Sequence, residues 1–346
     1  MRGMTSLPPL SVLDLSPIAL GSTAGEALNQ SRDLARHVEG LGFRRFWMAE
    51  HHNMPGVASA ATAVALAHVA EGTSTIRIGA GGVMLPNHAP LVIAEQFGTL
   101  AAIHPGRIDL GVGRAPGTDQ LTARALRRNL VGEIDHFPQD VVELIRWFEP
   151  SQPGQAVRAV PGEGLKVPVW ILGSSLYGAQ LAAALGLPYA FASHFAPGDL
   201  DQAAAIYRSQ FKPGPEGAPP YFMPALTVIA ADTDAEARFL ATSLYQAFVN
   251  LRTGRAGPLP PPVEGFYEKL DPGARGMLDN ALSCAVIGGP DTVRQGLEAF
   301  ARRTRADELM ITSQIFDHTG RKKSFDLVAE VAGQGAVLSD RVAVSA

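Results

Sequence analysis

Short apolar runs alternate with longer amphipathic stretches along the whole chain. The short runs predict buried strands, because uninterrupted apolar runs of this length are typical of strands covered on both faces. In the first half the predicted strands are Leu10–Ile18, Phe43–Ala49, Ile76–Leu85 and Arg107–Gly113. In the second half they are Val167–Leu172, Pro188–Ser193, Tyr221–Ala231 and Glu308–Ile315.

The stretches between these strands carry apolar residues at helical spacing. Between residues 24 and 41, for example, Leu28, Leu34, Val38 and Leu41 fall on one face, and Gly42 ends the pattern. The other predicted helices are Ser59–Ala70, Pro90–Ile103, Tyr177–Leu185, Asp199–Phe211, Asp234–Leu251 and Ser324–Ala332. Eight strand–helix units predict an α/β fold with a parallel sheet, closed into a (β/α)8 TIM barrel. A doubly wound open sheet is the alternative.

Two segments are longer than ordinary connections, residues 115–166 and residues 252–279. We interpret them as insertions after strands 4 and 7 of one barrel domain that spans residues 1–346. The first contains a predicted helix around Val141–Phe148. Long excursions from a barrel usually form lids or specificity loops, and a passive insertion is the alternative.

Composition narrows the class of protein. The 346 residues are 46% hydrophobic and 18% charged, with a net charge of −4, so we expect a large core and no nucleic-acid or membrane partner. Cys284 is the only cysteine, which excludes an internal disulfide and favours the cytoplasm. Pro8 and Pro9 interrupt the start of the chain, so no secretory signal is predicted, and no apolar run reaches the ~20 residues of a membrane span.

Candidate chemistry is sought where the strands end, since TIM-barrel active sites lie at the carboxyl ends of the strands. Strand 2 is followed by Glu50–Asn53, in which His51 or His52 could act as a base or a hydrogen-bond donor. The alternative is a histidine that only caps the loop. Adjacent residues of an extended segment point in opposite directions, so the two histidines do not predict a metal site, and no metal is expected.

The ends of strands 3, 4 and 6 add further candidates. Gly81 and Gly82 would permit close approach of a flat ligand, or would form a bulge that relieves crowding. Arg114 could bind a phosphate or a flavin carbonyl through its planar guanidinium, or could form a surface salt bridge. His194 could face the mouth of a pocket or lie on its rim.

Strand 5 ends in Ser174 and Ser175, directly before a predicted helix. The N–H groups of Ser175, Leu176, Tyr177 and Gly178 would point outward there, and the helix dipole is positive at that end. These features predict an anion site. An ordinary serine N-cap is the alternative.

The strand ends, taken in order, resemble the luciferase-like monooxygenase family, most closely the alkanal-monooxygenase-like branch that lacks a paired β chain. The resemblance covers roughly residues 10–335. Its most specific parts are residues 47–53 (WMAEHHN), 81–90 (GGVMLPNHAP) and 104–114 (HPGRIDLGVGR).

This resemblance implies a TIM barrel that binds flavin at the carboxyl ends of the strands. Reduced FMN would come from a separate NAD(P)H-dependent flavin reductase and react with oxygen. The resulting flavin hydroperoxide would oxidise a small organic substrate. The resemblance assigns His51 as the catalytic histidine, Gly81–Gly82 as a non-proline cis peptide supporting the flavin ring, and Arg114, Ser174, Ser175, Leu176, Tyr177 and Gly178 as the phosphate site.

The chain departs from luciferase itself at two positions. Gly113 stands where the luciferase α chain has a reactive cysteine, so light emission is not expected. Ser174 replaces a glutamate, which removes a negative charge and favours phosphate binding. Family members typically dimerise through helices that flank strands 2 and 3, so a homodimer is expected, with the alanine-rich Ser59–Ala70 in the interface. Ordinary packing of this helix onto the barrel is the alternative.

Two other functions remain open. The same barrel hosts hydride transfer with a deazaflavin cofactor, and it also occurs in non-catalytic flavin-binding relatives. A deazaflavin with a polyanionic tail would call for several basic residues at the phosphate site. Residues 173–180 contain no lysine or arginine, which favours FMN.

Overall fold

The strands form the centre of the molecule. A computed structural model describes residues 7–114, 120–126, 136–214 and 217–333 of the chain. Within these residues the strands are β1 (Leu10–Asp14), β2 (Arg45–Met48), β3 (Arg77–Met84), β4 (Ile108–Gly113), β5 (Val169–Gly173), β6 (Tyr189–Phe191), β7 (Phe222–Ala230), β8 (Val286–Gly288) and β9 (Leu309–Thr312).

Eight of these strands close into a parallel barrel. β1 to β6 pair in sequence order, β6 pairs with β7, β7 with β9, and β9 with β1. The register between β9 and β1 places Leu309 beside Leu10, which completes the ring. β8 pairs with the end of β7 outside the ring. The predicted closed eight-stranded barrel is therefore confirmed, and the open-sheet alternative is wrong.

Helices surround the barrel. They are α1 (Ala24–Gly40), α2 (Thr62–Ala70), α3 (Pro90–Ile103), α4 (Gln120–Leu126), α5 (Phe137–Trp147), α6 (Leu176–Leu185), α7 (Leu200–Gln210), α8 (Asp234–Arg252), α9 (Phe266–Lys269), α10 (Pro272–Ala281), α11 (Pro290–Thr304) and α12 (His318–Ala332). Local signals explain where they begin and end. Thr23 and Glu26 form a reciprocal capping box at the start of α1, and Gly186 ends α6 in the left-handed conformation. In the described part of the chain, no helix has the length and apolar character needed to cross a membrane.

The structure differs from the sequence prediction at several elements. β1 ends at Asp14, four residues before its predicted end at Ile18. α12 begins at His318 rather than Ser324, because the side chain of Asp317 caps a polar first turn that shows no apolar periodicity. The three-residue β8 and the helices α9 and α10 were not predicted, since they are too short or too polar to give a periodic signal.

A buried charge network fills the amino-terminal end of the barrel. Arg45 lies 2.6 Å from Asp109 and 3.0 Å from Glu308, and all three side chains are buried. Trp47 and Trp170 pack edge to face above them, with ring centroids 5.1 Å apart. Paired charges and aromatic rings thus close the lower end, so that ligands reach the barrel from the carboxyl ends of the strands.

Candidate active site

A cavity of about 490 Å³ lies over the carboxyl ends of the barrel strands. Its walls come from the ends of β1, β2, β6, β7 and β9, from α8, and from the segment that follows α8. The side chains around it include His51, His52, His194, Phe195, Phe248, Leu251, Arg252, Leu259, Thr312 and Gln314. This is the position at which TIM-barrel enzymes hold their ligands.

Part of the predicted insertion at residues 252–279 forms the roof of the cavity. Leu259 donates its N–H to the carbonyl of Ile18 at 2.7 Å, and Leu20 donates to the carbonyl of Leu259 at 2.8 Å. Gly56, in the loop after β2, lies so close to the carbonyl of Gly257 that a side chain at position 56 would have no room. The insertion is therefore anchored to the loops after β1 and β2 and lines the cavity.

Two histidines meet at the cavity wall. His51 follows β2 as expected from the sequence, and His194 follows β6. Burial, together with the nearby His51, lowers the pKa of His194 to about 3, so this imidazole is neutral at physiological pH. Its Nδ1 is buried and has no hydrogen-bond partner within the described residues. Of the two alternatives for His194, the pocket-facing position is the one observed.

Glu50 ties the ends of β2 and β3 together. Its Oε1 lies 2.6 Å from Nε2 of His52 and 2.9 Å from Nε2 of His88, and its Oε2 accepts the N–H of Met84 at 3.0 Å. Its own N–H donates to the carbonyl of Gly82 at 3.1 Å. Burial alone would raise the pKa of Glu50, but these hydrogen bonds lower it, so the carboxylate is ionised. The sequence did not assign a role to Glu50 or His88.

The same three side chains could be considered as metal ligands. The ligand atoms of Glu50, His52 and His88 lie within 4.8 Å of one another. Sequence spacing does not reveal this cluster, because His88 lies in the loop after β3, whereas Glu50 and His52 follow β2. Direct hydrogen bonds of 2.6 and 2.9 Å account for the cluster without an ion. The absence of a metal site stays a prediction.

The glycines at the end of β3 have the backbone that the resemblance implied. The peptide bond between Gly81 and Gly82 is cis, and the register of β3 on β4 shifts between Gly81 and Val83. A Cβ atom on Gly82 would lie 2.7 Å from the carbonyl oxygen of Gly111. Close packing against the backbone of Gly111 therefore requires glycine at position 82, whether or not a ligand also approaches this peptide.

The start of α6 is the place where the sequence predicts an anion site. Ser175 occupies the N-cap position, but its own side chain makes no capping hydrogen bond to the first turn. The guanidinium carbon of Arg114 lies 4.1 Å from the ring centroid of Tyr177. Tyr189 donates its hydroxyl to the carbonyl of Ser175 at 3.2 Å and holds the loop in place. The structure thus brings the end of β4 to the first turn of α6.

A second cleft joins this predicted anion site to the main cavity. Ser174 lines a cleft of about 450 Å³, and Phe195 and Arg252 line both the cleft and the cavity that contains His51. The predicted phosphate loop and the predicted catalytic histidine therefore lie on adjoining concave surfaces. Arg252 was not among the predicted site residues, because nothing in the sequence separates it from other cations in the last turn of a helix.

A closed (β/α)8 barrel with a cavity over the carboxyl ends of its strands is the arrangement of a TIM-barrel enzyme. The model of the family described as luciferase-like monooxygenase matches residues 9–308, and the chain belongs to this family. A luciferase-like monooxygenase of Escherichia coli is 56% identical, over 93% of this chain and 96% of that protein. N-acetyl-S-alkylcysteine monooxygenase of Bacillus subtilis is 38% identical, over 71% of this chain and 75% of that protein.

Solved structures share the fold. Apo-MsnO8 has a TM-score of 0.83 and 34% identity, and the match covers 94% of this chain and 98% of that one. The oxygenating constituent of 3,6-diketocamphane monooxygenase from Pseudomonas putida, solved with FMN, has a TM-score of 0.70 at 17% identity, with coverage of 94% and 98%. The coenzyme F420-dependent tetrahydromethanopterin reductase of Methanopyrus kandleri has a TM-score of 0.64 at 15% identity, with the same coverage. Neighbours on this fold thus include proteins that use FMN and proteins that use F420.

Proposed function

We propose that this protein is an FMN-dependent monooxygenase that uses reduced FMN and molecular oxygen to oxidise a small organic substrate. The observation that carries the proposal is the convergence of Arg114 and the first turn of α6 beside the cavity that contains His51. A cation and the N–H groups of a helix amino terminus are donors that suit a phosphate monoester. A barrel cavity with apolar walls suits a flat aromatic ring.

The residues present fit this cofactor. Arg114 and the N–H groups of Leu176–Gly178 would hold the phosphate, with Ser174 and Ser175 as further donors. The backbone of Gly81–Gly82 would support the ring. Thr312 lines the cavity, and its buried Oγ1 has no hydrogen-bond partner within the described residues, which leaves it available to a polar ring atom.

Reduced FMN, when bound, supplies two electrons to oxygen, so that one oxygen atom enters the substrate and the other leaves as water. The role of the chain is to exclude water and to position the reactants. Apolar side chains from α8 and the roof keep the cavity dry. His51 lines the cavity and would move a proton at its imidazole nitrogen, while the neutral His194 beside it would offer a hydrogen bond without adding charge.

Anaerobic titration of the purified protein with photoreduced FMN tests the proposal. We expect binding at micromolar concentrations, followed by oxygenated product when oxygen and substrate are added. The substrate panel should include aldehydes, aromatic compounds and, because of the Bacillus subtilis relative, thioethers. Failure to bind FMN would refute the proposal. Tighter binding of F420 would favour hydride transfer, and binding without product from any substrate would favour a non-catalytic relative.

The expected partners are also proposals. A separate NAD(P)H:flavin reductase would supply reduced FMN to a cytoplasmic homodimer. The side chain of Val64 on α2 is 72% exposed, which is consistent with a contact through the helix predicted for the interface. Sedimentation velocity over a range of concentrations checks the dimer, and a strictly monomeric species would remove it.

A further inference from the structure

One face of α8 combines an apolar stripe with a single terminal cation. The residues of α8 that line the cavity are Leu244, Ala247, Phe248, Leu251 and Arg252. Their spacing of three, four, seven and eight residues places all five on one face of the helix. A ligand lying along α8 would therefore meet apolar side chains first and a guanidinium at the end.

The charge of Arg252 is not neutralised by the protein. Within the described residues it makes no ion pair or side-chain hydrogen bond, and no aspartate or glutamate lines the main cavity. Asp199 lines the adjoining cleft but forms no ion pair with Arg252. The carbonyl end of α8 offsets part of the charge, yet a helix terminus carries only about half a unit, so the site remains positive.

Large apolar side chains flank this cation at the mouth of the cavity. Phe195 is 43% exposed and Leu251 is 46% exposed, and both line the cavity beside Arg252. Exposed apolar side chains that converge on a concave surface mark a ligand site more often than a bare surface. A ligand that covers these side chains and reaches Arg252 must therefore have both an apolar part and a group that a guanidinium binds.

We infer that the substrate is an amphipathic organic acid, whose apolar arm lies along α8 and whose carboxylate binds Arg252. This inference rests on the proposed function, because it names the substrate class of that site. The cofactor phosphate is the other anion that Arg252 could bind, since Ser174 lines the adjoining cleft. Arg114 and the first turn of α6 already provide phosphate donors, whereas Arg252 ends the apolar stripe, so the carboxylate is favoured.

Calorimetric titration with octanoate and octanamide tests the inference, because the two probes differ in charge and share the apolar arm. We expect the wild-type protein to bind octanoate about tenfold more tightly, as a charge-assisted hydrogen bond implies. Arg252→Gln should abolish this preference, and Arg252→Lys should retain part of it. Arg255→Gln is the matched control, because Arg255 lies three residues further on and does not line the cavity; it should keep the full preference.

Equal affinity for the two probes in the wild-type protein, or no binding of either, would overturn the inference, as would a preference that survives in Arg252→Gln. FMN titration of the same variants shows whether Arg252 binds a substrate carboxylate or the cofactor phosphate. If Arg252→Gln weakens FMN binding and leaves the octanoate preference intact, the arginine serves the cofactor phosphate and the inference is wrong. If no variant binds FMN at all, the proposed function fails, while the comparison of octanoate with octanamide still decides the role of Arg252.

Discussion

The guanidinium carbon of Arg114 lies 4.1 Å from the ring centroid of Tyr177, so the end of β4 and the first turn of α6 meet at one point. We expect Arg114→Met to weaken binding of reduced FMN by one to two orders of magnitude, since a charge-assisted hydrogen bond is worth about 1.5–3 kcal/mol. Flavin fluorescence and anaerobic titration measure the effect. Arg146→Gln, on the exposed face of α5, is the control and should bind FMN like the wild type. Unchanged affinity in Arg114→Met would remove this arginine from the phosphate site.

The roof of the cavity depends on the contact between Gly56 and Gly257. Gly56→Ala would push a methyl group into the carbonyl of Gly257, so we expect the roof to shift, the KM for substrate to rise several-fold, and cleavage of residues 252–265 by protease to become faster. Gly276→Ala, in α10 of the same insertion, has open space around its Cβ position and should leave all three measurements unchanged. A roof that resists protease equally well in Gly56→Ala would contradict this account.

The charge network at the lower end of the barrel should control stability and not substrate binding. Arg45→Met leaves the buried Asp109 and Glu308 without their shared partner, which typically costs about 3–5 kcal/mol of unfolding free energy. Arg44→Gln is the control, because Arg44 is largely exposed and lies 3.7 Å from Glu308; its loss should cost about 1 kcal/mol or less. Urea denaturation measures both. Equal stability of Arg45→Met and the wild type would show that the network is dispensable.

The buried His194 makes stability depend on pH in a defined window. Its pKa is lowered to about 3 in the folded protein, whereas an unfolded histidine titrates near ~6.5. As the pH falls below about 6.5, the unfolded state takes up a proton that the folded state does not, so stability decreases towards pH 3. His194→Gln should flatten this decrease between about pH 6.5 and pH 5 in thermal unfolding, while His68→Gln on α2 should keep the wild-type slope. An unchanged slope in His194→Gln would assign the pH dependence to other groups.

The fold was largely predictable because its signals are local. Each barrel strand is a short apolar run and most of the helices have clear periodicity, so the eight barrel strands were placed with errors only at their ends. Two of the elements that were missed, β8 and α9, have only three and four residues, and β8 pairs at the margin of the sheet. In such short elements the tertiary contacts decide the structure, and the sequence pattern carries little of that information.

The site was predictable only where one strand end supplied several polar residues in succession. His51 and Ser174 were singled out in this way, and they line the cavity and the adjoining cleft. His88 and Arg252 were not, because their positions depend on partners brought together by the closed barrel: His88 reaches Glu50 from the loop after β3, and Arg252 lines the same cavity as Phe195. Sequence separation hides such pairs, and the resemblance to a known family did not assign them either.

The roof is joined to the barrel through main-chain atoms, with Leu259 bonded to Ile18 and Leu20 by N–H and carbonyl groups alone. Hydrogen bonds of this kind do not depend on which side chains the segment carries. Residues of the roof can therefore be exchanged while the anchorage persists, so the lining of the cavity can change while the barrel stays the same. Recombining this segment between relatives would be a direct way to redirect the enzyme towards new compounds.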